Sequence, residues 1–249
     1  MEVKLHNPVM AFTRPEIYAA KHDGFHKRVP PAHAGENWIA TSQQIGHGGW
    51  TGFKFLFMGP DSHLYAVKAD GSGFYKGSPP THGGDNWIAR ATKIGSGGWT
   101  DFKFLFMGPD FNLYGVKADG SGFFRGPPPS HAGDNWSARA TKIGGAGWTD
   151  FQFLFCGPDG QLYAAKSDGF LRAPPPSHAG DNWSARATKI GGAGWTSFKF
   201  LFFGPEGHLY AAKADAFLKA PPPTHAGDNW SARANKIGSG GWTDFTFLF

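Results

Sequence analysis

Five times along the chain, a histidine, an acid, an asparagine and a tryptophan fall within six residues of one another. The sets are His33, Glu36, Asn37, Trp38; His82, Asp85, Asn86, Trp87; His131, Asp134, Asn135, Trp136; His178, Asp181, Asn182, Trp183; and His225, Asp228, Asn229, Trp230. An arginine stands three residues after the tryptophan in four of them, as Arg90, Arg139, Arg186 and Arg233, while the first has Thr41. Carboxylate, amide and guanidinium are planar hydrogen-bonding groups that match vicinal hydroxyls, and an indole face suits the C–H side of a sugar ring. Glycines around them let the backbone approach a ligand closely. This combination points to carbohydrate recognition. Each residue also has a plain structural use. The acid could cap a helical turn, the asparagine could satisfy loop backbone groups, and the arginine could brace a neighbouring carboxylate or carbonyl. Histidine could bond the loop backbone, and tryptophan could act as a wedge. At this level both readings stand.

Other chemistries need partners that the chain lacks. His131 and Asp134 are two candidate metal ligands without a third. Ser130, His131 and Asp134 are too local for a nucleophilic triad, and the first two copies carry Ala32 and Thr81 at the serine position. One acid per copy does not make the paired carboxylates of a glycoside hydrolase. No glycine-rich phosphate loop ends in Lys-Ser or Lys-Thr. The sequence therefore argues against an enzyme and calls for no cofactor and no metal. The single Cys156 occupies the place of Met58, Met107 and Phe203, which marks it as a packing residue.

The polar sets belong to a longer repeat. Residues 127–149 return unchanged at 174–196, and looser versions run over 30–51, 79–100 and 221–243. Trp38, Trp87, Trp136, Trp183 and Trp230 are spaced by 49, 49, 47 and 47 residues, and Trp50, Trp99, Trp148, Trp195 and Trp242 by the same steps. A period of this size is the mark of a repeat architecture. Each unit begins with a short β-prone run such as Leu64–Lys68, paralleled by Ile17–Lys21, Leu113–Lys117, Leu162–Lys166 and Leu209–Lys213. A hairpin leads to a second strand, and its longer tip (Ala69 to Gly73, against Ser167 to Gly169) accounts for the change from 49 to 47. Prolines end that strand. The polar loop follows, with a helical turn expected within 138–143 leading to an outer strand. A glycine-rich connector then reaches a phenylalanine-rich strand such as Phe102–Phe106, whose three phenylalanines at alternate positions are expected on one face. Four short strands per unit predict an all-β, five-bladed propeller with antiparallel blades. Phe245–Phe249 is expected to be the innermost strand of the first blade, closing the ring. The whole, 1–249, reads as a single domain, with 1–9 as a lead-in.

The net charge of +5 raises the question of nucleic acid, but the lysines fall singly in each unit and form no basic run. They read as a solvated face, with no nucleic-acid partner. No apolar stretch of about 18 residues suggests membrane insertion. Residues 1–10 lack the continuous apolar core of a secretory signal. One cysteine allows no internal disulfide framework and mildly favours intracellular or granule storage. The compartment stays open, with secretion or granule storage the better fit to a glycan-binding role.

The run Asp-Asn-Trp-x-Ala-Arg-Ala-Thr-Lys-Ile-Gly-x-Gly-Gly-Trp followed by Phe-Lys-Phe-Leu-Phe, over residues 85–106, resembles the tachylectin-2 family of five-bladed propeller lectins. Related copies extend the resemblance from about residue 16 to residue 249. It implies a closed propeller with one site per blade for N-acetylglucosamine or N-acetylgalactosamine. Each site would lie between adjacent blades, under the long loop and beside the connector of the previous blade. Carried onto this chain, that gives Asp85, Asn86, Trp87 and Arg90 with Gly49 and Trp50. It gives likewise Asp134, Asn135, Trp136 and Arg139 with Gly98 and Trp99; Asp181, Asn182, Trp183 and Arg186 with Gly147 and Trp148; and Asp228, Asn229, Trp230 and Arg233 with Gly194 and Trp195. The fifth set is Glu36, Asn37 and Trp38 with Gly241 and Trp242. There Glu36 replaces Asp and Thr41 replaces Arg, so four strong sites and one weakened site are expected. Ala146 and Ala193 replace the middle glycine of two connectors, a smaller departure. The expected protein is a monomeric, non-catalytic, multivalent lectin. The alternative is a protein-interaction propeller that uses the same loops.

Overall fold

A computed structural model describes residues 16–204 and 206–249. The lead-in expected over residues 1–9 lies outside the described residues. Five four-stranded antiparallel sheets follow one another around a ring, each the blade of a β-propeller. In the second blade the order from the axis outward is Phe53–Met58, Leu64–Lys68, Phe74–Gly77 and Thr92–Gly95. The first blade is assembled from both ends of the described chain: Phe247–Leu248, Ile17–Lys21, Gly24–Arg28 and Gln43–Gly46. Ala19 faces Leu248 and Ala20 faces Phe247. Tyr18 and Phe249 exchange both backbone hydrogen bonds, at 2.6 and 3.0 Å. Ring closure is as the repeat predicts.

Hairpin tips carry the length variation. The strand pairs run to Lys166↔Gly169 and Lys213↔Ala216, leaving two-residue turns. In the second blade the pairing stops at Val67↔Phe74 and a longer tip spans the gap. Strand cores are untouched by the change.

The hydrophobic core lies between blades. One cluster joins Val67, Phe74, Ile94 and Trp99 of the second blade to Phe102, Leu105, Leu113 and Trp136 of the third. The equivalent cluster at closure joins Tyr210, Phe217 and Trp242 to Ile17, Ala19 and Trp38. A blade is thus a sheet with two buried faces, each completed by a neighbour.

The phenylalanine strands correct the expectation of one shared face. Phe102 packs with Leu105 in one interblade cluster, whereas Phe104 and Phe106 pack in the next. The cause is a register shift between Phe102 and Phe104, a bulge that moves the first ring to the other side of the sheet. Phe53 and Phe55 are separated by the same irregularity. In the inner strand of the fourth blade, Phe153–Cys156, Cys156 fills a partly buried place against the core, and burial pushes its thiol pKa up. A packing role suffices for it.

Candidate functional site

The loop after the second strand is pinned to its own blade before it meets the next. Its four-residue helix is Trp87–Arg90 in the second blade and Trp136–Arg139 in the third, two residues earlier than the expected turn within 138–143. Asparagine, not the acid, stands at the N-cap. Asn37, Asn135 and Asn182 each accept a hydrogen bond from the backbone N–H three residues on, at 3.2–3.3 Å. The acid is occupied by arginine. Arg90 donates from Nε and Nη2 to both oxygens of Asp85 at 2.9 and 2.7 Å, and reaches the carbonyls of Ser78 and Pro79 at 3.0 Å. Arg139, Arg186 and Arg233 repeat this fork on Asp134, Asp181 and Asp228. Bidentate, charge-assisted bonds of this kind set the geometry of both partners. The arginine is therefore a brace for the loop. In the fourth blade the histidine also turns inward, with His178 Nδ1 accepting from the Gly180 N–H at 3.2 Å.

Arginine lowers the pKa of Asp85, Asp134, Asp181 and Asp228 below the ordinary 3.8, chiefly through its hydrogen bonds. A depressed carboxylate pKa contributes stability that is fully present above the unfolded value and is lost as pH falls through the folded one. The loops are therefore expected to keep their order at pH 5 and to loosen only below 3.8. Amide exchange of the loop residues followed from pH 6 to pH 2 checks this; loosening already at pH 5 would contradict it.

The first blade reaches the same end by another route. Thr41 Oγ1 only bonds the carbonyls of Asn37 and Trp38. Glu36 accepts instead from the Ala32 N–H at 2.9 Å and pairs with Arg28. These bonds, the backbone one first, lower its pKa. Arg28 stands opposite Ile17, where the other blades have Gly77, Gly126, Ala173 and Ala220 opposite their leucines. The premise that this unit lacks a cation is corrected: the guanidinium has moved from the helix to the neighbouring strand. Arg28→Gly is expected to loosen the 33–41 loop by about 1 kcal/mol, near the ceiling for a partly exposed ion pair. Adding Thr41→Arg should restore it by recreating the arrangement of the other blades. Thermal denaturation of the single and double variants checks the pair, and a double variant no better than the single would refute the equivalence.

Both sets of tryptophans are wedges between blades. Trp50 lies 5.8 Å from Trp87, Trp99 5.7 Å from Trp136, Trp148 5.4 Å from Trp183, Trp195 5.5 Å from Trp230, and Trp242 5.6 Å from Trp38, centroid to centroid. All ten are buried. The loop tryptophan of each unit is oriented by its indole N–H, as in Trp87 to the Ser78 carbonyl at 2.8 Å. The second lies over a glycine that ends the outer strand: a Cβ on Gly95 would sit 2.2 Å from Trp99 Nε1. Gly49, Gly98, Gly147, Gly194 and Gly241 have φ between 84° and 106°, a conformation that other residues rarely adopt. They turn the connector into the short 3-10 helix that carries the second tryptophan.

Above four of the wedges the connector and the next blade's loop enclose a cleft. One is lined by His47, Gly48, Gly49 and Trp50 on one side and Gly83, Gly84, Asp85, Asn86, Trp87 and Ile88 on the other, with Phe53 and Lys68 between them. Equivalent clefts join Gly98 and Trp99 to Asp134, Asn135 and Trp136; Gly147 and Trp148 to Asp181, Asn182 and Trp183; and Gly194 and Trp195 to Asp228, Asn229 and Trp230. Their volumes run from about 290 to 440 Å³. At the fifth junction Ser239 Oγ bonds the Ala34 carbonyl at 2.8 Å, which brings Gly241 and Trp242 beside Glu36, Asn37 and Trp38. The expected acid, asparagine, tryptophan and connector glycine thus converge. The expected Arg90, Arg139, Arg186 and Arg233 do not line these clefts and act through the acid. The strand-leading phenylalanines pack in the interblade clusters as the sequence suggests, and they also line the clefts; Lys68, Lys117 and Lys166, read from the sequence as solvated charge, line three of them.

The model of the tachylectin family matches residues 6–155 and again 115–249. The chain belongs to the tachylectin family. For this tachylectin-family chain the likeness extends to the backbone. A solved structure from work on the de novo evolutionary emergence of a symmetrical protein is 38% identical, with a TM-score of 0.85, over 94% of this chain and 97% of that one. More distant likenesses include the calcium-binding protein regucalcin from Agrobacterium tumefaciens (14% identity, TM-score 0.45, covering 87% of this chain and 68% of that one). Another is virginiamycin B lyase from Staphylococcus aureus (9%, 0.40, covering 83% and 63%). At that distance neither bears on what this chain does. Family and fold together make the protein a lectin-type propeller. Among the described residues no helix is long and apolar enough to cross a membrane.

Proposed function

We propose that this chain is a monomeric, non-catalytic lectin that binds N-acetylglucosamine or N-acetylgalactosamine in the clefts between its blades, one per blade. The observation that carries this reading is the convergence of the connector with the asparagine loop at every junction. The exposed Asn86 amide, with its equivalents, donates and accepts toward sugar hydroxyls. The backbone of the Gly83–Gly84 and Gly48–Gly49 segments comes within reach of the ring. The thin rims of the buried indoles that line the cleft, with Phe53 or its equivalents, supply the apolar wall. Asp85 and Arg90 hold the loop in place and are positioning residues. The carbohydrate-binding family supports this assignment.

Single clefts of this size and openness favour weak binding, about 0.1–1 mM. Five around a rigid ring multiply that on a glycan-dense surface by about 10²–10⁴ when spacing allows simultaneous engagement. The mechanism is therefore recognition of sugar density. Calorimetric titration with N-acetylglucosamine, with glucose as control, tests the reading. Saturable heat near five sites per chain, absent with glucose, is the expected result. No heat with either sugar or with N-acetylgalactosamine would overturn it in favour of a protein partner for the same loops.

A further inference from the structure

The five blade junctions are built from near-identical sequence, yet the cleft between residues 47–53 and 83–88 differs from the rest in a concerted way. Its lysine, Lys68, lines the cleft and makes no ion pair among the described residues; its ammonium lies 5.9 Å from the Tyr75 ring. Every equivalent lysine is paired: Lys21 with Asp23 at 3.2 Å, Lys117 with Asp101 at 3.8 Å, Lys166 with Asp168 at 3.6 Å and Lys213 with Asp215 at 3.4 Å. Position 52, moreover, is glycine where three other blades have Asp101, Asp150 and Asp244. The nearby Asp70 carboxylate accepts from the Ser72 N–H instead.

A second hydrogen-bonding side chain enters the same space. His47 takes the place of Ser96, Gly145, Gly192 and Ser239. Its ring lies so close to Gly83 that a Cβ there would stand 2.7 Å from the imidazole Cε1. The other loops carry alanine at that position, as Ala34, Ala132, Ala179 and Ala226. Histidine and glycine have therefore changed together. The acid on the far wall, Asp85, is neutralised by Arg90. The cleft keeps its apolar features, with Ile88 where three others have serine and Phe53 less buried than Phe102.

We infer that this one cleft takes an N-acetyl sugar bearing an anionic substituent, with Lys68 and His47 as donors to the anion. The inference rests on the lectin reading above and deepens it. The anion meets an ammonium that no carboxylate contacts at ion-pair distance among the described residues, the nearby Asp70 being turned to the Ser72 N–H, while the acetyl methyl finds Ile88 and Phe53. The equivalent lysines of the other blades are already engaged by an acid, so a charged sugar gains little there.

The test is calorimetric titration with N-acetylglucosamine 6-sulfate and with N-acetylglucosamine, at equal ionic strength, on the wild-type chain and on the Lys68→Gln/His47→Ser double variant. Serine is the native residue at the equivalent connector position Ser96, so the fold is preserved. In the wild type the sulfated sugar should show one site tightened by about five- to tenfold, the gain of a half-buried charged hydrogen bond, and the remainder unchanged. The double variant should lose that tighter class, while the clefts that contain neither residue bind the neutral sugar as in the wild type. Uniform binding of the sulfated sugar, or a tight class that survives in the variant, would overturn the inference and leave the lectin reading intact. Absence of binding by both sugars would overturn both. Inorganic sulfate at the same concentration should not displace the tight ligand; displacement would show a bare anion site and overturn the sugar assignment.

Discussion

Removal of Trp242 to Phe249 is expected to abolish cooperative folding. Those residues supply the innermost strand of the first blade, which pairs Leu248 with Ala19 and Phe247 with Ala20. They also supply Trp242, Phe245 and Leu248 to the cluster that seals the fifth and first blades. Losing a buried tryptophan or phenylalanine costs about 3–5 kcal/mol each. With the leucine and the stranded edge of Ile17–Lys21, the loss reaches the order of the 5–15 kcal/mol that holds a typical domain together. The prediction treats the described chain as one cooperative unit. Thermal melting by circular dichroism checks it: the shortened chain should show no cooperative transition near that of the full chain. An unchanged melt would mean that the ring does not depend on its closure.

Trp136→Ala should be the most damaging single substitution in a loop. The indole is buried, packs 5.7 Å from Trp99 and edge-on to Phe102, and donates to the Pro127 carbonyl at 2.9 Å. Its removal empties the wedge and leaves the carbonyl unpaired, a loss of about 3–5 kcal/mol. Arg139→Ala removes an exposed brace and is expected to cost about 1 kcal/mol, near the ceiling for partly exposed ion pairs. Chemical denaturation of the two variants measures the contrast. Equal losses would mean that the tryptophan is not the structural member of the pair. In sugar titrations both variants should lose one site and leave the rest at their normal affinity.

Much of the architecture is legible from spacing alone, because a period of 47–49 residues with four β-prone runs per unit leaves few alternatives. Hairpin tips, Pro-terminated strands and the closing strand were readable for the same reason. What escaped depends on register and on contacts distant in sequence. A bulge after Phe102 moves one phenylalanine to the opposite face, and alternation by itself has no term for a bulge. Asp and Asn are adjacent and both cap helices well, so only the fork from arginine shows that the acid is taken and the asparagine caps. The swap of Thr41 for Arg28 was hidden because Arg28 stands in the strand before the loop, eight residues ahead of Glu36, and only the fold brings the two together. Asp61 and Tyr65, joined at 2.9 Å beside the axial turn with Lys76 on the same carboxylate, are a latch that the turn signal gave no hint of. The odd cleft at Lys68 emerges only when five near-copies are compared in space. There a missing acid, an added histidine and a smaller neighbour are seen to face one another.

The most direct measurement is a crystal structure of the chain grown with N-acetylglucosamine. The account predicts sugar in the clefts between connector and loop, with the acetamido ring beside Asn86 and its equivalents and the Asp85–Arg90 brace undisturbed. Sugar found only in the axial cavity near Met107 and Cys156, or on an outer face of the blades, would contradict it.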